Sequence, residues 1–303
     1  MTTGEPVREP ALAACGIAVR YGRRQLLDGV SFAVPPGSVF ALLGRNGSGK
    51  TSLVRCLLGQ QKPGAGRALL FGQDAWKARR QAMNRVGVLP EEPDAPPGMT
   101  ARQLSDFCGR LYSRWDAPAV LGRLSRFDVP KDTPFARLSR GERGAVMLSL
   151  CLGHSPEVLV LDDPTLGQDA VARRALFEEL IAELADRGTM VFVTSHDLAG
   201  LDGLADRVAV LHGGRLVVDE PLDALKMRFR RLRAPAALEA SWGSFAVVAS
   251  RSHAWGQEAV VSNFDDERLL GLLEGRSDRS VEVAGLTLEE IFLAVCDGNG
   301  GNP

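Results

Sequence analysis

The 303-residue sequence has no apolar run approaching the roughly 18–20 residues that a membrane-spanning helix needs. Met1–Pro10 is polar, carries Glu5, Arg8 and Glu9, and lacks the apolar centre of a secretory leader. Both absences predict a cytoplasmic chain, with any work at a membrane done through a partner. Charge of one sign is lacking too. There are 36 basic and 37 acidic side chains, a formal net charge of −1, so no global basic excess points to nucleic acid. Cysteine is sparse and scattered: Cys15, Cys56, Cys108, Cys151 and Cys296 contain no C-x-x-C pair. They read as mostly buried thiols in a reducing compartment rather than metal ligands or disulfides. Internal repeats, low-complexity tracts and heptad runs are absent, which excludes a long coiled-coil architecture. What remains is 45% apolar and 24% charged, an ordinary globular composition. The length suffices for one large or two medium domains.

The hydrophobic pattern predicts strands over Leu12–Val19, Leu26–Val34, Val39–Leu43, Arg67–Phe71, Val86–Leu89, Val158–Leu161 and Met190–Thr194. A final pair is predicted over Val208–Leu211 and Leu216–Val218. Helical spacing occupies residues 100–153 and Asp169–Arg187, the latter with Phe177, Leu180, Ile181 and Leu184 on one face. Strands alternating with helices imply an α/β fold with a mostly parallel sheet, interrupted by a helical insertion at about 95–153. Around 224–235, Lys226, Arg228, Arg230, Arg231 and Arg233 crowd together, with Leu225, Phe229 and Leu232 at helical spacing. This reads as an amphipathic helix with a solvated basic face, or alternatively a contact for acidic headgroups or an acidic partner. Residues 236–297 read as a small α+β module. Thr287 and Glu290 stand at capping-box spacing before the apolar face of Leu288, Ile291, Phe292 and Val295.

Chemistry concentrates in Gly44-Arg45-Asn46-Gly47-Ser48-Gly49-Lys50-Thr51, followed by Ser52. Every fixed position of the P-loop pattern G-x-x-x-x-G-K-[ST] is present, between a predicted strand and a predicted helix. Glycines let backbone N–H groups curl around phosphate oxygens, and the helix start adds its dipole. Lys50 offers a point charge to the outer phosphates and Thr51 a hydroxyl to Mg²⁺. Val158–Leu161 then delivers Asp162 and Asp163 to the carboxyl edge of the sheet, where ligands sit. Asp162 reads as the second metal-holding group of a P-loop site.

Leu138-Ser139-Arg140-Gly141-Glu142-Arg143 opens a helix about twenty residues before that strand. With these motifs in this order, residues 10–225 resemble the ATP-binding cassette (ABC) ATPases. The resemblance implies a P-loop NTPase core with antiparallel N-terminal strands, binding ATP and Mg²⁺. It implies that Ser139, Arg140, Gly141 and Glu142 face the ATP held by another subunit's P-loop in a head-to-tail dimer. Ser139 and Glu142 also read as a capping box. Tyr21 lies where the family stacks an aromatic on adenine. Gly167-Gln168-Asp169 resembles the D-loop, and His196 the switch histidine that contacts the γ-phosphate.

Three positions depart from the family pattern. Glu91 follows Leu89-Pro90 where glutamine is usual, and is expected near Mg²⁺ or the attacking water. Asp163 stands where the catalytic glutamate is usual, one methylene shorter. A misplacement of about 1 Å can cost on the order of 10²-fold in rate, so slow hydrolysis is expected. Arg140 replaces a signature glycine. The ending Leu286-Thr287-Leu288-Glu289-Glu290-Ile291-Phe292-Leu293 resembles the tail of ABC-2-type exporter subunits, and Leu89-Pro90-Glu91-Glu92-Pro93 their Q-loop. That implies a separate membrane permease, docking beside Glu91 and near Leu104, Phe107, Leu111, Tyr112 and Trp115. The same apolar residues also read as core. The alternatives are a soluble regulatory ATPase and an importer ATPase.

Overall fold

A computed structural model describes residues 9–164, 187–195, 201–235, 242–273 and 281–298. The chain separates into two compact units, Met1–Ala205 with Ala209–Val218, and Asp206–Val208 with Asp219–Pro303.

In the first unit, β1 (Leu12–Tyr21), β2 (Arg24–Val34), β4 (Ala65–Leu70) and β5 (Gln73–Asp74) form an antiparallel sheet in the order β2-β1-β4-β5. Its alternation is legible in β2, where Val30, Phe32 and Val34 are buried between exposed neighbours. A second sheet contains β3 (Val39–Leu43), β6 (Val86–Leu89), β7 (Val158–Asp162), β8 (Met190–Ser195), β9 (Arg207–His212) and β10 (Arg215–Pro221). The order is β10-β9-β3-β8-β7-β6, with β3, β8, β7 and β6 parallel. Every residue of β3, β7 and β8 is buried, which is why these strands read as unbroken apolar runs rather than alternating ones.

Phe32, Phe40 and Phe192 stack across the gap between the sheets, with centroids 4.9, 5.8 and 5.6 Å apart. Such pairs add about 0.5–1.5 kcal/mol beyond their area burial. Helix α1 (Lys50–Leu57) buries Leu53, Val54 and Leu57 in the same core. Helix α2 (Ala75–Ala82) is capped by Asp74, whose Oδ1 accepts from the Lys77 N–H at 3.1 Å.

Between β6 and β7 lie α3 (Ala101–Leu111), α4 (Ala117–Arg126) and α5 (Arg140–Leu152). They have their own core of Ala101, Leu104, Val120, Leu124, Phe135 and Val146. Thr100 and Gln103 close a capping box at the start of α3, and Asp116 caps α4. The apolar residues singled out here divide: Leu104 is core, whereas Phe107 and Leu111 are 53% and 63% exposed.

The second unit contains α6 (Leu222–Arg228), β11 (Arg230–Pro235), β12 (Val247–His253), β13 (Gly256–Val261), α7 (Asp266–Leu273), β14 (Glu282–Ala284) and α8 (Leu288–Gly298). Its antiparallel sheet runs β12-β13-β11-β14 around Leu232, Phe245, Val261 and Leu272. Here the amphipathic helix expected over 224–235 is corrected. The helix stops at Arg228, and residues 230–235 form a strand paired on both edges, with β13 and β14. The solvated basic face is corrected with it. Arg228 meets Glu220 at 3.0 Å, Arg231 meets Glu290 at 2.7 Å, and Arg233 meets Glu258 at 2.9 Å. These guanidinium charges are answered inside the unit, so they do not form a free surface for acidic headgroups. The Thr287 capping box forms as spaced: its N–H donates to Glu290 Oε2 at 2.8 Å, and its Oγ1 accepts from the Glu290 N–H at 3.2 Å.

All five cysteines are free, two buried and three half-buried. Burial pushes the Cys56 thiol up to about 11. Among the described residues, no helix is long and apolar enough to cross a membrane. The helix expected at 169–187 (apart from Arg187), the Gly167-Gln168-Asp169 segment and His196 lie outside the described residues.

Candidate active site

The P-loop is made by the chain leaving buried β3 at Leu43 and entering α1 at Lys50. Gly47 and Gly49 sit at φ +77° and +108°, backbone conformations that a side chain would oppose. Gly44 is needed for space: a Cβ there would lie 2.5 Å from Ser48 Oγ and 2.9 Å from the Leu211 carbonyl oxygen. Lys50 is only 7% exposed. Its Nζ donates to the Gly44 carbonyl at 2.7 Å and the Arg45 carbonyl at 3.4 Å, so the ammonium is folded into the curl of its own loop. Burial pulls the Lys50 pKa below its usual 10.5, opposed by the negative charges of Asp163, Asp162 and Glu91. Ser48 Oγ is buried without a protein hydrogen-bond partner. A hydroxyl donor in that condition, beside a buried ammonium, suits a polyanion.

The acidic side is built by register. Along the parallel pairs, Leu43 lies beside Ser195, Thr194 beside Asp162, and Leu161 beside Leu89. The carboxyl ends of β3, β8, β7 and β6 therefore reach one edge. There they deliver the P-loop, Thr194 and Ser195, the Asp162–Asp163 pair and the Pro90-Glu91 bend. Asp162 and Asp163 are both buried. Asp162 Oδ1 accepts from the Thr194 hydroxyl at 2.7 Å. The Asp163 N–H donates to both the Thr194 carbonyl, 3.1 Å, and its Oγ1, 2.9 Å. Asp163 itself has φ +49°, in the left-handed region.

Loop and strand ends enclose a cavity of about 290 Å³. Asn46, Gly47, Gly49, Lys50, Thr51 and Ser52 line it from the loop side, Glu91, Asp162 and Asp163 from the strand ends, with Leu26 beside them. Gly44, Arg45 and Ser48 complete the loop behind that lining.

The other candidates are elsewhere. Tyr21 is 52% exposed at the end of β1, with its hydroxyl donating to Gln61 Oε1 at 3.0 Å. Ser139 caps α5: its Oγ accepts from the Glu142 N–H at 3.2 Å, and its N–H donates to Glu142 Oε2 at 2.7 Å. Ser139 and Arg140 are exposed, Gly141 and Glu142 half-buried, and none of the four lines the cavity.

The ABC transporter family profile matches residues 27–166. The Nod factor export ATP-binding protein I of Burkholderia orbicola (strain AU 1054) is 32% identical over 286 residues, covering 90% of this chain and 93% of that protein. Its counterpart in Paraburkholderia xenovorans (strain LB400) is 34% identical over 223 residues, 72% and 73% of the two chains. The chain belongs to the ABC transporter family. Bacitracin transport ATP-binding protein BcrA of Bacillus licheniformis is also similar, 31% identical over 214 residues and 70% of each chain.

Solved structures agree on the fold. The ATP-binding subunit of an ABC transporter superposes with TM-score 0.66 at 24% identity, covering 71% of this chain and 92% of that one. A dimeric ATP-binding cassette bound to ADP and phosphate superposes with TM-score 0.62 at 18% identity, covering 70% and 98%. This ABC ATPase binds ATP. Sequence reasoning missed Thr194. The signal was a hydroxyl closing an otherwise apolar strand, beside the strand that ends in two carboxylates.

Proposed function

We propose that the chain powers an exporter: a Mg²⁺-dependent ATPase working as a head-to-tail dimer against a separate integral membrane permease. One observation carries the reading. Buried Lys50 and the carboxylates Glu91, Asp162 and Asp163 converge on one cavity, in a chain whose relatives are named export ATP-binding proteins. The protein then sits peripherally at the inner face of the cell membrane, held by the permease. Residues 11–225 serve as the ATPase domain, with the insertion at about 95–153, and 236–297 as an accessory module.

Divalent cation chemistry fits this donor set. One ammonium and three carboxylates line the cavity, a net charge of 1 − 3 = −2, so a nucleotide polyphosphate needs a cation to enter. Among the described residues no cluster of three or more His, Cys, Asp or Glu would hold a metal unaided. Mg²⁺ asks for less, since one or two carboxylates and the nucleotide's own phosphates suffice. Thr51, Asp162 and Glu91 would hold it, and when bound it supplies charge neutralisation at the phosphate oxygens.

Gly44, Arg45, Asn46, Gly47, Ser48, Gly49 and Ser52 cradle the phosphates with backbone and hydroxyl donors. Lys50 leaves the Gly44 carbonyl for the outer phosphate. Asp163 orients the attacking water, and its short reach makes turnover slow. His196 contacts the γ-phosphate and Tyr21 stacks on adenine. Ser139, Arg140, Gly141 and Glu142 of a second copy close the site. In the cap the Ser139 Oγ only accepts, from the Glu142 N–H, so its O–H remains a donor for a phosphate oxygen, alongside the dipole of α5. Exposed Phe107 and Leu111 offer the permease an apolar contact.

Affinity isolation of the Asp163→Asn protein with MgATP from detergent-solubilised membranes tests this. An integral protein should co-purify and stimulate the wild-type ATPase. If no integral protein follows and the chain sediments with ribosomes, the exporter reading fails and a soluble regulatory ATPase takes its place. Recovery with a solute-binding-protein-dependent permease would make it an importer ATPase instead.

A further inference from the structure

We propose that Thr194 is the positioning residue that sets divalent-cation affinity, by locking Asp162 and Asp163 to the central strand of the sheet. The proposal rests on the reading of the cavity as a metal–nucleotide site.

Thr194 is fully buried on β8, between the strand that launches the P-loop and the strand that ends in the acids. Its register partner on β7 is Asp162, so both side chains project from the same face of the sheet. That face is the one on which Val158, Val160, Met190 and Phe192 pack with α1. A hydroxyl here is surrounded by apolar neighbours and has one use on each side. It donates to Asp162 Oδ1 at 2.7 Å and accepts from the Asp163 N–H at 2.9 Å. An ionised carboxylate accepts only, so the direction of both bonds is fixed. The Asp162 carboxylate is thereby held in one rotamer, with its second oxygen left for a cation.

The same hydroxyl, together with the Thr194 carbonyl at 3.1 Å, clamps the Asp163 backbone in its left-handed conformation. One side chain thus ties the metal-holding acid to the water-orienting acid. Groups that orient metal ligands typically change affinity 10–100-fold when removed. Valine is the informative replacement, because it keeps the β-branched shape and the buried volume while deleting only the hydroxyl.

The test uses the full chain with wild-type, Thr194→Val, Thr194→Ser and Thr194→Cys forms. Mn²⁺ binding at saturating ATP is read by electron paramagnetic resonance. ATP affinity at saturating Mn²⁺ and the melting temperature are measured alongside. In Thr194→Val the half-saturating Mn²⁺ concentration should rise tenfold or more. ATP affinity at saturating Mn²⁺ should stay within about threefold, and Thr194→Ser should return to within about threefold of wild type. If the valine form does not fold, the series decides: serine near wild type and cysteine clearly weaker supports the proposal. Mn²⁺ affinity equal in the folded variants and wild type overturns it, as does a loss that serine does not rescue. Wild-type protein that binds ATP but no Mn²⁺ would overturn the cavity reading itself, a different failure from an unaffected valine variant.

Discussion

Asp163→Glu should make this ATPase faster and less stable at once. Asp163 lies at φ +49° with its N–H held by both Thr194 oxygens, at 3.1 and 2.9 Å, so its backbone has no room to relax. Aspartate tolerates the left-handed region because its short side chain bonds locally. Glutamate forgoes that advantage, and the region costs an ordinary residue roughly 1–2 kcal/mol. Part of that cost is already borne by aspartate, so a stability loss of about 1 kcal/mol is expected. The catalytic effect runs the other way. With Asp163 in its proposed water-orienting role, one added methylene adds about 1 Å of reach, and a misplacement of that size is worth on the order of 10²-fold in rate. That corresponds to about 2.7 kcal/mol of barrier. The stability loss is small against a typical folding free energy of about 5–15 kcal/mol, so the folded fraction stays near one and the rate gain is measurable. Phosphate release at saturating MgATP, with thermal denaturation in parallel, is the assay. Turnover rising tenfold or more, with a lowered melting temperature, is expected. Unchanged or lower turnover with normal ATP affinity would refute the idea that reach at this position limits the rate.

Gly44→Ala should weaken ATP binding at least tenfold and destabilise the protein by about 1–3 kcal/mol, the cost of overpacking. Ser48 can rotate away from the new methyl, but the Leu211 carbonyl, 2.9 Å from it, is backbone; calorimetry and melting curves check both. Because burial lowers the Lys50 pKa, ATP affinity should be flat with pH while the lysine is charged. It should weaken as pH rises through that depressed value, somewhere below 10.5, by up to about tenfold per pH unit. Binding there should take up a proton, measurable calorimetrically in buffers of different ionisation heat. Thr287→Ala removes the cap hydroxyl of α8 and should cost about 1 kcal/mol, read in the unfolding of the second unit.

The P-loop and the buried strands were legible because they obey local rules. Fixed glycine spacing specifies a backbone path, and strands covered on both faces must be apolar throughout, as Val39–Leu43 and Val158–Leu161 are. The 224–235 stretch misled because two periods coincide. Leu225, Phe229 and Leu232 fit a helix, yet Leu232 and Ala234 also alternate, and pairing with β13 and β14 decided the outcome. The fate of its arginines was not local either: Arg231 finds Glu290 fifty-nine residues away. Thr194 escaped notice for the same reason, since its meaning lies in the neighbouring strand. Phe107 and Leu104 show a finer limit. Both sit on one helix at adjacent-turn spacing, and only packing against α4 and α5 separates core from surface.

Complementation between two inactive chains tests the composite site most directly. Lys50→Ala lacks the phosphate charge, and Gly141→Trp should block the signature end of α5; neither alone should hydrolyse ATP. In a mixed dimer one site would combine Lys50 of one chain with the intact α5 terminus of the other. Recovery of phosphate release on mixing, up to about a quarter of wild type if random pairing gives half mixed dimers with one working site each, is the expected result. No recovery, with both variants folded and mixed dimers verified by mass, would contradict a site shared between two chains.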